Sequence, residues 1–263
     1  MAYQQKIIQG DDPSVVKLYG ERTVKTSCQY LLPHVTKTTN ILDVGCGPGI
    51  ITADLAKIAS EGHTIGVDNS EGIIKQASTS FSDVPNLKFQ VADATNLKDF
   101  ADNSFDIVHA HQLLVHIANP VVVLKEFYRV CKPGGIIACR ESSSALVLSL
   151  KPDLPGVREY WAKAVAMMPM IGAQPEAGIN LEKWGREAGF GANDGKILTS
   201  KSPIWNAGHL ERVTGPAADQ AIQYGMATKD ELNRWAEAWR EWEATEGHEF
   251  VFETGEVLCW KEN

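Results

Sequence analysis

The sequence predicts a doubly wound α/β fold built on a mostly parallel sheet. Two observations carry that prediction. Between residues 41 and 141, short apolar runs alternate with amphipathic segments of helical period, and regular strand–helix alternation specifies a parallel sheet with right-handed crossovers. The first run, Asn40-Ile41-Leu42-Asp43-Val44, ends in three glycines at alternate positions, Gly45-Cys46-Gly47-Pro48-Gly49, before Ile50, Ile51, Leu55, Ile58 and Ala59 begin a helix. Glycine lets a backbone turn sharply and approach a ligand closely, and a helix start offers unpaired N–H groups. A plain tight turn between strand and helix would satisfy the same pattern.

The later elements follow in order. Thr64-Ile65-Gly66-Val67-Asp68 reads as a second strand closing on an acid, 68 − 49 = 19 residues beyond the last glycine. A carboxylate there accepts hydrogen bonds from ribose hydroxyls in sheets of this class, or it is an acid favoured by the dipole of the next helix, which Asn69 or Ser70 caps. Leu87-Lys88-Phe89-Gln90-Val91 is a third strand that runs into Ala92-Asp93-Ala94, where Asp93 can also start a turn. Residues 104–110 form a fourth strand, followed by His111, Gln112 and His116. Residues 121–130 form a helix with Val123, Leu124, Phe127 and Val130 on one face, Asn119 as N-cap and Pro120 at its first position. Lys132-Pro133-Gly134-Gly135 then turns into a fifth strand over residues 136–141.

The glycine spacing selects a ligand class. The dinucleotide fingerprint G-x-G-x-x-G places its third glycine where Ile50 stands, and Pro48 removes an N–H that a pyrophosphate would use. With Asp43 ahead of it, the turn resembles the first motif of class I S-adenosylmethionine-dependent methyltransferases of the ubiquinone-biosynthesis type, and the resemblance spans residues 41–141. It implies a Rossmann-like sheet of seven strands with the last antiparallel. It also implies S-adenosyl-L-methionine as methyl donor and S-adenosyl-L-homocysteine as product. The donor would be held by Asp43, Gly45, Cys46, Gly47 and Gly49 at the turn, by Asp68, Asn69 and Ser70, by Asp93 and Ala94 at the adenine, and by Ala110 and His111. Related enzymes use an N-terminal segment as a lid. Here residues 14–33 read as one or two helices ended by Pro33, with Tyr19 offering a π face to the sulfonium and Arg22 meeting the donor carboxylate, or both on a solvated helix. An NAD-dependent oxidoreductase, and a donor-binding fold kept for a task other than transfer, are the alternatives.

The remaining sequence supplies the acceptor side of a single domain over residues 1–263. Its parts are a helical lid (1–38), a donor-binding core (39–141), a substrate-side helical insertion (142–178) and the rest of the sheet (179–263). The insertion carries Trp161, Met167, Met168 and Met170, and it reads as a substrate cover or as a helix pair packed on the core or on a second subunit. Residues 181–188 read as a helix capped by Asn180 and stopped by Gly189, and residues 196–199 as a strand. Thr228-Lys229-Asp230-Glu231 is a capping box that opens a helix with Leu232, Trp235, Trp239 and Trp242 on one face, a core pattern. Residues 255–260 supply the last strand.

Methyl transfer is an in-line displacement governed by positioning, and an oxygen nucleophile also sheds a proton. His111 and His116 are the candidate bases. Arg140, Trp161, Met170, Trp205 and His209 are the candidate acceptor contacts, with Arg140 and Glu141 also able to pair with each other. The segment after the fourth strand lacks the clustered Asp and Asn that a metal-assisted mechanism would use, so no metal is expected. With 25 Lys and Arg against 33 Asp and Glu, a formal charge of −8, no basic face points to nucleic acid. Five cysteines without C-x-x-C spacing indicate neither a disulfide framework nor zinc. Cys46 is a small side chain beside the donor, or a thiolate activated by the helix start. No apolar run approaches membrane-spanning length and no leader pattern opens the chain, so a cytoplasmic monomer or homodimer acting on a small molecule is expected.

Overall fold

The computed structural model describes residues 22–192, 195–205 and 209–262; Tyr19 and most of the expected lid lie outside them. The elements in chain order are α1 (Val24–Ser27), β1 (Ile41–Val44), α2 (Ile50–Ile58), β2 (Thr64–Asp68), α3 (Glu71–Ser80), β3 (Leu87–Val91), β4 (Phe105–His111), α4 (Pro120–Val130), β5 (Cys131–Lys151), α5 (Pro155–Met167), α6 (Ala177–Glu187), β6 (Ile197–Trp205), α7 (Leu210–Thr214), α8 (Pro216–Gln223), α9 (Lys229–Ala244) and β7 (Glu249–Trp260).

The seven strands form one sheet in the order β3-β2-β1-β4-β5-β7-β6. β1 pairs in parallel with β2 and β4, β2 with β3, and β4 with β5. β7 runs antiparallel to both of its neighbours, as the family resemblance implies. All four residues of β1 are buried, because a central parallel strand is covered on both faces. Strand alternation divides them. Ile41, Ile107 and Ala138 pack with α1 and α2 in one cluster, whereas Leu42, Val108 and Ile137 pack with α4 and α6 in another. A third cluster holds Trp235, Trp239 and Trp242 of α9 against Phe250 and Phe252 of β7, so the tryptophan face is core. The Thr228–Glu231 capping box opens α9, and the Ser70 hydroxyl accepts from the Ile73 N–H at the start of α3.

Several elements differ from expectation. β5 does not end at Glu141. It runs on to Lys151, with Ser142 facing Thr254 and Lys151 facing Glu249 on β7, so the sheet reaches into the expected insertion. The added pairing, from Ser142–Thr254 to Lys151–Glu249, is with a strand 98–112 residues later in the sequence, which a local pattern cannot show. β6 likewise continues to Trp205. α6 starts at Ala177 rather than 181, and Asn180 is inside it with its amide on the Glu176 carbonyl at 3.0 Å. The early start is possible because Gly178 lies flat on the sheet; a Cβ there would come within 2.5 Å of Glu141 O and Gly255 N. Asn119 occupies the N-cap of α4 without a side-chain bond, and Pro33 sits inside a short 3-10 turn, Leu32–His34, rather than ending a helix.

Candidate active site

The glycine turn leaves β1 with φ values of +71°, +54° and +84° at Gly45, Gly47 and Gly49. The N–H groups of Gly45 and Cys46 both donate to Val67 O, at 2.8 and 2.9 Å, which folds the turn against the end of β2. The outer two glycines are there for packing. A Cβ on Gly49 would strike the Phe89 ring at 2.6 Å, and one on Gly45 would meet Leu113 at 2.9 Å. Gly47 differs: a Cβ there would meet nothing within 4 Å, so its backbone is open to whatever lies over the turn. Asp68 stands beside it, one carboxylate oxygen accepting from the Gly47 N–H at 3.1 Å and the other from Ser70 N–H at 3.1 Å.

At the next strand end, Asp93 is exposed and turns the chain by accepting from the Thr95 N–H at 2.8 Å and hydroxyl at 2.7 Å. It also borders a cavity of about 340 Å³ with Asn69, Val91 and Leu97. Ala94 packs on the core behind it. An open glycine backbone, a carboxylate at the end of β2 and a small cleft one strand further on fit a nucleoside-bearing donor.

Asp43 corrects the expectation of direct donor contact. It is buried, with Oδ1 2.7 Å from His109 Nδ1 and Oδ2 accepting from the Thr52 hydroxyl at 2.5 Å. His109 Nε2 in turn lies 3.3 Å from Cys28 Sγ. Carboxylate, imidazole and thiol thus line up as in a nucleophilic relay. Yet Cys28 and His109 have no exposed surface, so no substrate reaches them and the line is a tie between α1, β4, β1 and α2. Burial opposes charge on His109, but the Cys28 sulfur and the Asp43 carboxylate outweigh it and raise the imidazole to about 10. At Cys46, burial, reinforced by the Asp43 and Asp68 charges, pushes the thiol well up; it is a small side chain, not a thiolate.

Ala110 and His111 close β4, both buried. Among the described residues, no partner bonds to His111 Nε2. Burial, then the charges of Arg22, Arg140 and His109, lower its pKa well below the usual value and keep it neutral. The segment beyond is gripped by Glu141, whose carboxylate accepts from the backbone N–H groups of Leu113, Leu114 and Val115 at 2.9, 2.8 and 3.1 Å. Burial nonetheless pushes that acid up to about 7. Glu141 and Arg140 do not pair. Arg140 donates to Thr26 O at 2.8 Å, Pro203 O at 3.0 Å and Thr254 Oγ1 at 3.1 Å, and lies 3.5 Å from Glu256.

Beyond that segment opens a cavity of about 1070 Å³. Arg22, Arg140, Trp161, Trp205 and His209 all border it. Met170 does not. It is 75 % exposed, and Met167 and Met168 face the cavity in its place, because the chain tightens from α5 into a 3-10 turn at Met168–Ile171. The Trp161 indole donates to Ser144 O at 2.9 Å and stacks on Phe252. His209 Nδ1 lies 3.2 Å from the Tyr160 hydroxyl, and burial, then Arg212, lowers its pKa. His116 opens to the cavity between protein walls, and burial, then Arg212 and Arg22, hold it down to about 4. Sequence reasoning missed Arg212 and Tyr160, which carry no motif. Among the described residues, no group of His, Cys, Asp and Glu is placed to hold a metal, and no helix is long and apolar enough to cross a membrane.

The sequence profile described as a methyltransferase domain matches residues 42–139. An uncharacterized methyltransferase of Schizosaccharomyces pombe is 31% identical over 96% of this chain and 95% of its own. The chain belongs to the class I S-adenosylmethionine-dependent methyltransferases. A demethylmenaquinone methyltransferase of Listeria monocytogenes is 36% identical over 54% of this methyltransferase and 58% of its own length. A phosphoethanolamine N-methyltransferase of Haemonchus contortus, solved with phosphomonomethylethanolamine and S-adenosylhomocysteine, shares the fold with a TM-score of 0.55 at 17% identity, over 89% of this chain and 52% of that one.

The buried tie in this methyltransferase gives a pH signature. The folded protein holds the His109 proton more tightly than an unfolded chain with a value of 6.5. The stabilisation is therefore whole below pH 6.5 and is lost as the pH rises through about 10. Melting curves of the wild type and His109→Gln will converge over that window; parallel curves would show that the pair carries no charge.

Proposed function

We propose that the protein transfers the methyl group of S-adenosyl-L-methionine to a small, largely apolar or aromatic metabolite in the cytoplasm, with His111 as general base. One observation supports this most directly. The glycine turn packs on Leu113, while Gln112, Val115 and His116 of the same segment face the large cavity. A donor over the turn and an acceptor in the cavity would meet across a few residues held rigid by Glu141.

S-adenosylmethionine supplies an already activated methyl group, so the chain's part is to hold, align and keep water out. Asp68 is placed to hold the ribose hydroxyls, the Gly47 backbone to let the donor approach, and the cleft beside Asp93 to take the base. His111, neutral and with Nε2 bonded to no described residue, would accept the acceptor's proton; it is buried at the end of β4 and does not itself border the cavity, so this role requires the acceptor to reach past Gln112. An NAD-dependent reaction has no support here, since Ile50 and Pro48 stand where the dinucleotide motif needs a glycine and an N–H.

Calorimetry should show that Asp68→Ala weakens S-adenosylhomocysteine binding by about 1.5–3 kcal/mol through loss of charged hydrogen bonds; an unchanged constant would remove the ribose role. Incubation with labelled donor and a metabolite extract should give a product heavier by one methylene. Tight donor binding with no labelled product would favour a non-transfer task. On that product, His111→Gln should lower turnover far more than donor affinity. The wild-type rate should carry no limb from His111 near pH 6.5, since His111 stays neutral well below it, and any limb near 7 belongs to Glu141; a limb near pH 6.5 that disappears in His111→Gln, or an unaltered turnover in that variant, would reject His111 as the base.

A further inference from the structure

The large cavity carries a cation that its apolar lining does not require. Four arginines elsewhere in this acidic protein are neutralised in pairs: Arg129 with Asp102 and Glu126, Arg158 with Asp153, Arg186 with Glu182, Arg234 with Glu159. Arg212 of α7 is half-buried and faces the cavity. Among the described residues, no carboxylate pairs with it and no hydrogen bond engages its side chain. A guanidinium left partly desolvated is unfavourable until an anion meets it.

The rest of the wall does not supply that anion. Among the described residues, two acidic side chains border the cavity, Glu211 and Glu256. Glu256 is already engaged by Arg140 at 3.5 Å and by the hydroxyls of Ser200 and Ser202 at 2.6 and 2.5 Å. Glu211, next to Arg212 in the chain, is exposed and forms no pair with it. Three further cations, Arg22, Lys25 and Arg140, face the same space, so the lining is positive within a chain of charge −8. The histidines near Arg212, His116 and His209, are held neutral and add no charge of their own.

Size and surface narrow the ligand. A free phosphate or acetate would leave most of about 1070 Å³ unfilled, and Trp161, Trp235, Met168 and Leu232 border the same space. Planar aromatic walls and a flexible thioether suit a bulky apolar body, whereas a guanidinium fork suits a two-oxygen anion. Resting on the methyltransferase reading above, we propose that the acceptor is an amphipathic acid: a large apolar or aromatic body with one carboxylate, the carboxylate on Arg212 and the body against Trp161 and Met168.

The probe pair is pyrenebutyrate and its methyl ester, which differ in the charge of one group, titrated by fluorescence in saturating S-adenosylhomocysteine. The wild type should bind the acid about tenfold or more tighter than the ester. Arg212→Met should bring the two within about threefold while leaving the ester's affinity near the wild-type value, Arg212→Lys should keep part of the preference, and Arg240→Gln, on the exposed face of α9, should change nothing. Equal affinities in the wild type, or a preference that survives Arg212→Met, would overturn the proposal. S-adenosylhomocysteine binding is measured on every protein. Its loss in the wild type would overturn the methyltransferase reading on its own, whatever the pyrene pair shows. Should Arg212→Met fail to bind it, Arg212→Gln takes its place in the comparison.

Discussion

The donor side of this molecule depends on one buried carboxylate. Asp43 is the penultimate residue of β1, just before the glycine turn, and its two oxygens are taken by Thr52 of α2 and His109 of β4. Through His109 the same link reaches Cys28, just beyond α1. Three elements that flank the turn are therefore fixed to the strand from which it springs. A lone carboxylate at 3% exposure would be strongly unfavourable. Here the imidazole, raised to about 10, supplies a compensating charge, and the pair can stay buried because both of its members are fully bonded.

A second buried acid does for the acceptor side what Asp43 does for the donor side. Glu141 fixes three successive N–H groups after β4, including that of Leu113, on which Gly45 packs. The glycine turn packs on, and the cavity wall includes, one short segment held by Glu141. For a displacement in which alignment supplies much of the rate, such rigidity is the catalytic contribution a protein can make. The far walls of the large cavity come instead from α5, β6 and the helices after it, which rest on the tryptophan cluster of α9. The cavity thus has one wall tied to the glycine turn through the segment that Glu141 holds and another supported by the tryptophan cluster.

The strand, glycine turn and helix frame is legible in the sequence because each of its pieces is local. A strand, a glycine turn and a helix start lie within a few residues, and the acids at Asp68 and Asp93 each follow a strand directly. What was hidden depends on contacts distant in sequence. The polar run Ser142-Ser143-Ser144 reads as the start of the insertion, yet all three are buried, and Ser142 and Ser143 pair with Thr254 and Glu253 of β7. Arg140 and Glu141 read as a possible ion pair, but neighbours on a strand point to opposite faces, so each found partners on its own side. Met170 fell off the cavity because the helix phase changes at Pro169. Arg212 lies in a short helix with no motif around it, and its meaning appears only once the cavity closes around it.

The most direct test is a crystal structure of the protein with S-adenosylhomocysteine. The account predicts the ribose hydroxyls within hydrogen-bond distance of Asp68, the sulfur turned toward the cavity beside Gln112 and His116, and Asp43 still bonded to Thr52 and His109. A ribose held away from Asp68, or a sulfur facing away from the cavity, would contradict it.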